Sequence, residues 1–185
     1  MLTYIISAAV AVAAIIIDQI VKSVTVANIT LGDKVDFIPW ILGFSYVQNP
    51  GGGFGFMREH PIFLIIVRVV AMAAIVAFFI IKKPKDKLLV WSLVLVETGG
   101  VGNLIDNIFR DGGKVVDTFD FTFFDRLREA YPDVALFRYD FPVFNVADCC
   151  VCVGAGLLIL YLLISVVKEN REKKNGKIED GNQNG

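Results

Sequence analysis

The chain has 185 residues, 55% of them hydrophobic, with a mean hydropathy of +0.61, which is too apolar for a water-soluble domain of this size. A net charge of −1 and a pI near 5.8 leave no basic surface for nucleic acid, and the Lys and Arg that exist are clustered. Cys149, Cys150 and Cys152 are the only three cysteines and lie in one apolar run, which excludes a disulfide framework.

Four apolar stretches approach or exceed the roughly 20 residues that cross a hydrocarbon core. The first runs from Leu2 to about Val26 and is interrupted by Asp18, Gln19 and Lys22. Ala9-Val-Ala11 resembles a signal-peptide cleavage site, but no basic segment precedes it and the polar cluster follows it, so an uncleaved span is expected. In the connection 27–60, Phe44-Ser-Tyr-Val-Gln-Asn49 alternates like a strand, and Gly51 to Gly53 supply backbone free of Cβ hindrance. Such a loop lies well against an extended peptide and pairs with it through main-chain groups. The lone histidine, His60, stands before Pro61 without companion ligands, so a loop role is expected and no metal site.

Ile62 to Ile81 forms the second span, opened by Pro61, which suits a first helical turn. The six-residue link Lys82-Lys-Pro-Lys-Asp-Lys87 makes spans two and three antiparallel neighbours. Span three is Leu88 to about Phe109, and span four Val143 to about Val167. Between them lies segment 110–142, with Gly112-Gly113 as a turn signal and Phe119, Phe121 and Phe123 alternating like a strand face. Asp125 to Ala130 reads as a helical turn. The tail 168–185 is charged, then Gly/Asn-rich, and is expected to be disordered. Residues 1–167 thus form one domain, an all-α membrane protein: a four-transmembrane-helix bundle with small extracytoplasmic β elements in loops 27–60 and 110–142.

Orientation follows from the bias of Lys and Arg toward cytoplasmic loops. The Lys82–Lys87 link holds four lysines in six residues, and Lys168, Arg171, Lys173, Lys174 and Lys177 follow span four. Segment 110–142 dilutes five basic residues among 33 positions and seven acids. Both termini are therefore expected in the cytoplasm and the two long loops outside.

At about 1.5 Å per helical residue, the polar residues then arrive at one level. Asp18 and Lys22 fall in the outer part of span one, Asn103 and Asp106 at the outer end of span three, and Asn145 and Asp148 in the first outer turns of span four. The last two pairs are i,i+3 and each shares a helix face. The Gly-Gly turn returns Asp117 toward the same cleft. Ionisable groups at the edge of hydrocarbon are costly and point to function. Two carboxyl groups sharing a site do not both ionise cheaply, so one holds a proton while the other acts as a base. That arrangement splits an amide with water and needs no cofactor, metal or nucleophilic serine. The alternative is a four-helix transporter subunit moving protons or cations on Asp18, Glu97, Asp106 and Asp148, but transporters place such groups near the midplane. Glu97 in span three and Arg68 in span two read either as a buried pair or as separate groups, with Arg68 snorkelling outward. The cysteines read as packing residues.

The set Asp18-Gln-Ile-Val-Lys22, Asn49-Pro-Gly51-Gly-Gly53-Phe54, Gly99-Gly-Val-Gly-Asn103-Leu-Ile-Asp106, Val116-Asp117 and Phe144-Asn145-Val-Ala-Asp148 resembles the lipoprotein signal peptidases (signal peptidase II), in family order across all four spans. The resemblance implies a bacterial inner-membrane aspartic endopeptidase that cleaves prolipoproteins on the N-terminal side of a diacylglyceryl-modified cysteine. It implies Asp117 and Asp148 as the catalytic pair and Asn103, Asp106 and Asn145 as their supports. Asp18 and Lys22 would brace the site, and Asn49, Gly51, Gly53 and Phe54 would hold the peptide. Membrane lipid and globomycin-type inhibitors are the other implied partners. The chain departs from the pattern at Asn107, where arginine is usual, with Arg110 as a candidate replacement, and at Gly53 and Thr118, where alanine and phenylalanine are usual. Segment 118–142 is longer than is common in the family and is read as a lid at the membrane interface.

Overall fold

A computed structural model of the chain describes residues 1–50, 60–135 and 141–183. Four of its helices are long and apolar enough to cross a membrane: α1 (Leu2–Asn28), α2 (Pro61–Lys82), α3 (Lys87–Phe109) and α5 (Val146–Gln183). Between α1 and α2 lie β1 (Lys34–Ile38) and β2 (Leu42–Asn49); between α3 and α5 lie β3 (Val115–Asp120) and the short α4 (Phe123–Ala130). Pro61 occupies the first turn of α2, and the Asp86 side chain caps α3 by accepting from Leu89 N at 3.0 Å.

The exterior and interior are inverted relative to a water-soluble protein. Valines, isoleucines and leucines of the spans are exposed around the helices, whereas the buried side chains include Asp18, Lys22, Asn103, Asp106, Asp117 and Asn145. Hydrocarbon satisfies the apolar outer surface, and each buried polar group needs a partner within the bundle. α3 is the central helix, packed on α1, α2 and most extensively α5.

Small residues allow that last contact. A Cβ at Gly99 of α3 would run into the Ala147 carbonyl oxygen of α5, and one at Gly154 would meet Ser92 O at 2.7 Å and Val96 N at 2.8 Å. The two backbones touch, which is how helices associate where lipid offers no hydrophobic drive.

Tyr4 Oη donates to Pro84 O at 2.6 Å, tying the start of α1 to the α2–α3 link at one end of the bundle. At the other end the chain forms an antiparallel sheet in the order β1-β2-β3. Ile38 faces Leu42 across the hairpin, and Val47 faces Asp117 between β2 and β3. The Gly-Gly signal after span three is a one-turn 3₁₀ segment, Asp111–Gly113, with φ of +68° at Gly112 and +62° at Gly113. Few side chains tolerate two consecutive positive φ values. This turn reverses the chain and sends β3 back along the bundle.

Three boundaries differ from the sequence reading. α5 begins at Val146 rather than Val143, because Asn145 caps it. It continues to Gln183 rather than ending at Val167; Lys and Glu are good helix formers, and Glu169 pairs with Lys173 at 2.5 Å one turn on, so residues 168–183 carry helical backbone. The aromatic alternation after Asp117 stays extended only to Asp120, after which Phe123 enters α4.

The close α3–α5 contact sets an expectation for thermal unfolding in detergent. Gly99→Ala should destabilise the protein by about 1–3 kcal/mol through overpacking. Gly156→Ala, where nothing lies within 4 Å of the added carbon, should be neutral or slightly stabilising.

Candidate active site

The site is assembled on the N-terminus of α5, whose first amides have no partners within the helix. Asn145 Oδ1 accepts from Asp148 N at 2.9 Å, and Asp148 Oδ2 accepts from Asn145 N at 3.2 Å. This reciprocal pair is a capping box built from Asn and Asp. The next free amide, Ala147 N, donates to Asp18 Oδ1 of α1 at 2.9 Å. An acidic side chain from one span thus closes the end of another.

Asp18 is in turn held by Lys22, whose Nζ lies 2.8 Å from Asp18 Oδ2 and 2.8 Å from Asp106 Oδ2, and donates to Asn103 Oδ1 at 3.0 Å. The lysine side chain is fully buried, and these three acceptors match its three N–H donors. An ammonium has no acceptor, so Asn103 presents its oxygen to Lys22 and its Nδ2 to Asp148 Oδ1, at 2.9 Å. Lys22 therefore dictates which way the Asn103 amide faces. Asp106 accepts further from Arg110 Nε at 2.8 Å and from Val116 N at 3.1 Å, fastening β3 to α3.

Asp117 comes from β3. Phe144 O accepts from Thr118 N at 2.9 Å and from Phe119 N at 2.7 Å, and Phe144 N returns a bond to Phe119 O at 3.0 Å, so β3 is stitched to the residue just before the cap of α5. Asn145 Nδ2 then donates to Asp117 Oδ1 at 2.7 Å. Asn49 lies two residues beyond Val47, the cross-strand partner of Asp117, and therefore on the same face; its Nδ2 donates to Asp117 Oδ2 at 2.9 Å. One amide, that of Asn145, touches both aspartates: its oxygen takes the Asp148 N–H and its nitrogen serves the Asp117 carboxyl.

Asp117 is 2% exposed. Burial, with the negative charge of Asp148 beside it, pushes its pKa up to about 7, against the opposing pull of the Asn49 and Asn145 donors and Lys22. Asp148 opens onto a cavity of about 630 Å³ that Asn49, Asn103, Arg68 and the rings of Phe121, Phe141 and Phe144 also line, with Met72, Ile75 and Val96 among its apolar walls. The Phe121 ring packs at a tilt against Phe144, 4.8 Å away, and Phe141, 5.3 Å away between ring centres, so aromatic side chains form one side of this cavity. Cys149 and Cys152 are free thiols on its wall.

Of the residues singled out from sequence, Asp18, Lys22, Asn49, Asn103, Asp106, Arg110, Asp117, Asn145 and Asp148 are joined in this one network. Gly51, Gly53 and Phe54 lie outside the described residues. Arg110 is directed to Asp106 and, at 3.4 Å, to Ser23 Oγ, and it is not on the cavity wall. Arg68 and Glu97 do not pair: Arg68 Nη1 donates to Asn107 Oδ1, while Glu97 borders a separate groove with Tyr4 and Phe79 and its Oε2 is buried without a hydrogen bond. Gln19, which the sequence marks only as a polar interruption of span one, also belongs to the network: its Nε2 donates to Gly102 O at 3.0 Å, Asp18 Oδ2 at 3.1 Å and Asp106 Oδ1 at 3.3 Å. A carboxamide inside an apolar span was the available signal.

Comparison with known proteins shows which family the chain belongs to. The profile of the family Peptidase_A8, described as signal peptidase (SPase) II, matches residues 10–164. A lipoprotein signal peptidase of Clostridium tetani is 34% identical over 158 residues, covering 85% of this chain and 92% of its own. One from Symbiobacterium thermophilum is 36% identical over 154 residues, covering 83% and 91%. A solved bacterial membrane enzyme superposes with a TM-score of 0.72 at 29% identity, covering 86% of this chain and 88% of the other. The chain belongs to the signal peptidase II family and is an aspartic peptidase of the bacterial membrane that acts in removing signal peptides from lipoproteins.

Proposed function

We propose that Asp117 and Asp148 are the catalytic pair, and that they cleave diacylglyceryl-modified prolipoproteins on the N-terminal side of the lipidated cysteine. The observation that carries this reading is the Asn145 amide bonded to both residues where Asp148 opens onto the cavity. With one proton between them, one carboxylate takes a proton from water while the protonated partner polarises the scissile carbonyl. Asn103 and Asn145 fix the orientation of the acceptor oxygens, and the Lys22 network fixes Asn103. A peptide carrying two acyl chains stays at the membrane surface, and a site between apolar span and sheet meets it there. The lysine-rich α2–α3 link and α5 tail support cytoplasmic termini, with the site on the extracytoplasmic side. Substrate, lipid and globomycin-type inhibitors would share the cavity, whose aromatic side forms a lid over the lipid.

The direct test is cleavage in vitro of a diacylated precursor by the purified protein, with and without globomycin. Cleavage that globomycin blocks is expected, and Asp117→Asn or Asp148→Asn should lower the rate by about 10³-fold or more while insertion stays normal. Full activity in either variant would refute the assignment, and proton or cation transport without cleavage would favour a transporter.

The raised pKa of Asp117 carries a stability consequence of definite sign. Between about pH 4 and about pH 7 the folded protein binds a proton at Asp117 that the unfolded chain has released, so stability falls as pH rises through this window. In thermal unfolding, the stability of Asp117→Asn relative to wild type should therefore increase from pH 4 to pH 8. A difference independent of pH would contradict the shift.

A further inference from the structure

We infer that Arg68 is the residue through which the cavity binds carbonyl oxygens of the substrate, either of the peptide or of the diacylglyceryl esters. This rests on the peptidase reading above. Arg68 lies two turns into α2, and among the described residues it is the one cation on the cavity wall, which it shares with Asn49, Asn103 and Asp148. Its Nη1 donates to Asn107 Oδ1, and Asn107 Nδ2 donates to Gly113 O at 2.6 Å. The turn that precedes β3 therefore orients Asn107 as an acceptor, and Asn107 pins the guanidinium.

Among the described residues, Asn107 takes one of the five N–H donors of Arg68. Guanidinium donors at membrane depth need acceptors, because an unmet polar group there costs several kcal/mol. The wall supplies few: deeper along α2 it is Ala71, Met72 and Ile75, so Arg68 stands at the border between the apolar floor and the polar end of the cavity. Bound substrate brings carbonyls to that border, and a planar fork suits them.

The charges argue for a neutral acceptor rather than a phosphate. Lys22 and Arg110 match Asp18 and Asp106. A singly protonated Asp117–Asp148 pair carries one negative charge, and Arg68 balances it. Among the described residues of the site, no cation is then left unmatched to draw a phosphate.

The test measures KM and kcat of the full-length protein on a diacylated precursor peptide. Arg68→Gln should raise KM about tenfold or more with kcat within about threefold. Adding Asn107→Arg to that variant supplies a guanidinium from the residue that Arg68 contacts and should restore most of the loss. A substrate with ether-linked chains separates the two carbonyl sources. If the esters are the acceptors, the wild type loses the same factor on it and Arg68→Gln adds nothing; if peptide carbonyls are, Arg68→Gln costs as much on the ether as on the ester. An unchanged KM, or an effect confined to kcat or to the pH profile, would overturn the inference and leave Arg68 as counter-charge only. Should Arg68→Gln fail to fold, Arg68→Lys, which keeps the charge and loses the fork, is expected to raise KM severalfold, and an unchanged KM there overturns it equally. A wild type that cleaves beside an unaffected variant fails this inference alone. One that does not cleave fails the peptidase reading, and this inference with it.

Discussion

The fully buried ammonium of Lys22, set between the carboxylates of Asp18 and Asp106, is the interaction on which the site depends. Three consequences follow from it. Asp18 is held where it accepts the Ala147 amide and closes α5. Asp106 is held where it accepts Val116 N and brings β3 inward. Asn103 is turned so that its nitrogen, and not its oxygen, faces Asp148. A buried ion pair of this kind adds little net stability over an apolar replacement, but removing one partner leaves a stranded charge and costs several kcal/mol. Its value here lies in fixing geometry, since each hydrogen bond it makes admits one orientation of the partner.

Hydrocarbon around the helices makes that geometry rigid. With the apolar side chains turned outward, α3 and α5 meet through Gly99 and Gly154 backbone to backbone, and the buried Asp18, Lys22, Asn103 and Asp106 side chains are partnered by one another and by helix backbone amides. Asp117 carries a cost of its own. It is buried, faces a second carboxylate and is thereby driven toward neutrality near pH 7. Strain of this type is what a shared-proton mechanism requires, and the surrounding network bears it.

Much of this was legible in the sequence because the signals were local. The four spans follow from hydropathy, the return of Asp117 from Gly112-Gly113, and β2 from the alternation up to Asn49. The meeting of Asp18, Lys22, Asn103 and Asp106 at one level followed from helical rise alone. What escaped depended on partners distant in the chain. Asn145 was read as sharing a helix face with Asp148, although Asn-x-x-Asp ahead of an apolar run is a capping-box pattern that places it outside the helix. Gln19 and Arg68 found acceptors on α3 that no spacing within their own spans reveals. Arg110 is a candidate for the cation that the family places at the position of Asn107, but as the C-cap of α3, four residues after Asp106, it turns back onto that carboxylate.

The claim that Asp117 and Asp148 act as one catalytic unit is tested most directly by comparing Asp117→Asn, Asp148→Asn and the double variant in the cleavage of a diacylated precursor. Residues that share a proton are not additive, so the double variant should be no slower than the worse single one, within about threefold. A double variant whose loss is the product of the two single losses would contradict the shared site.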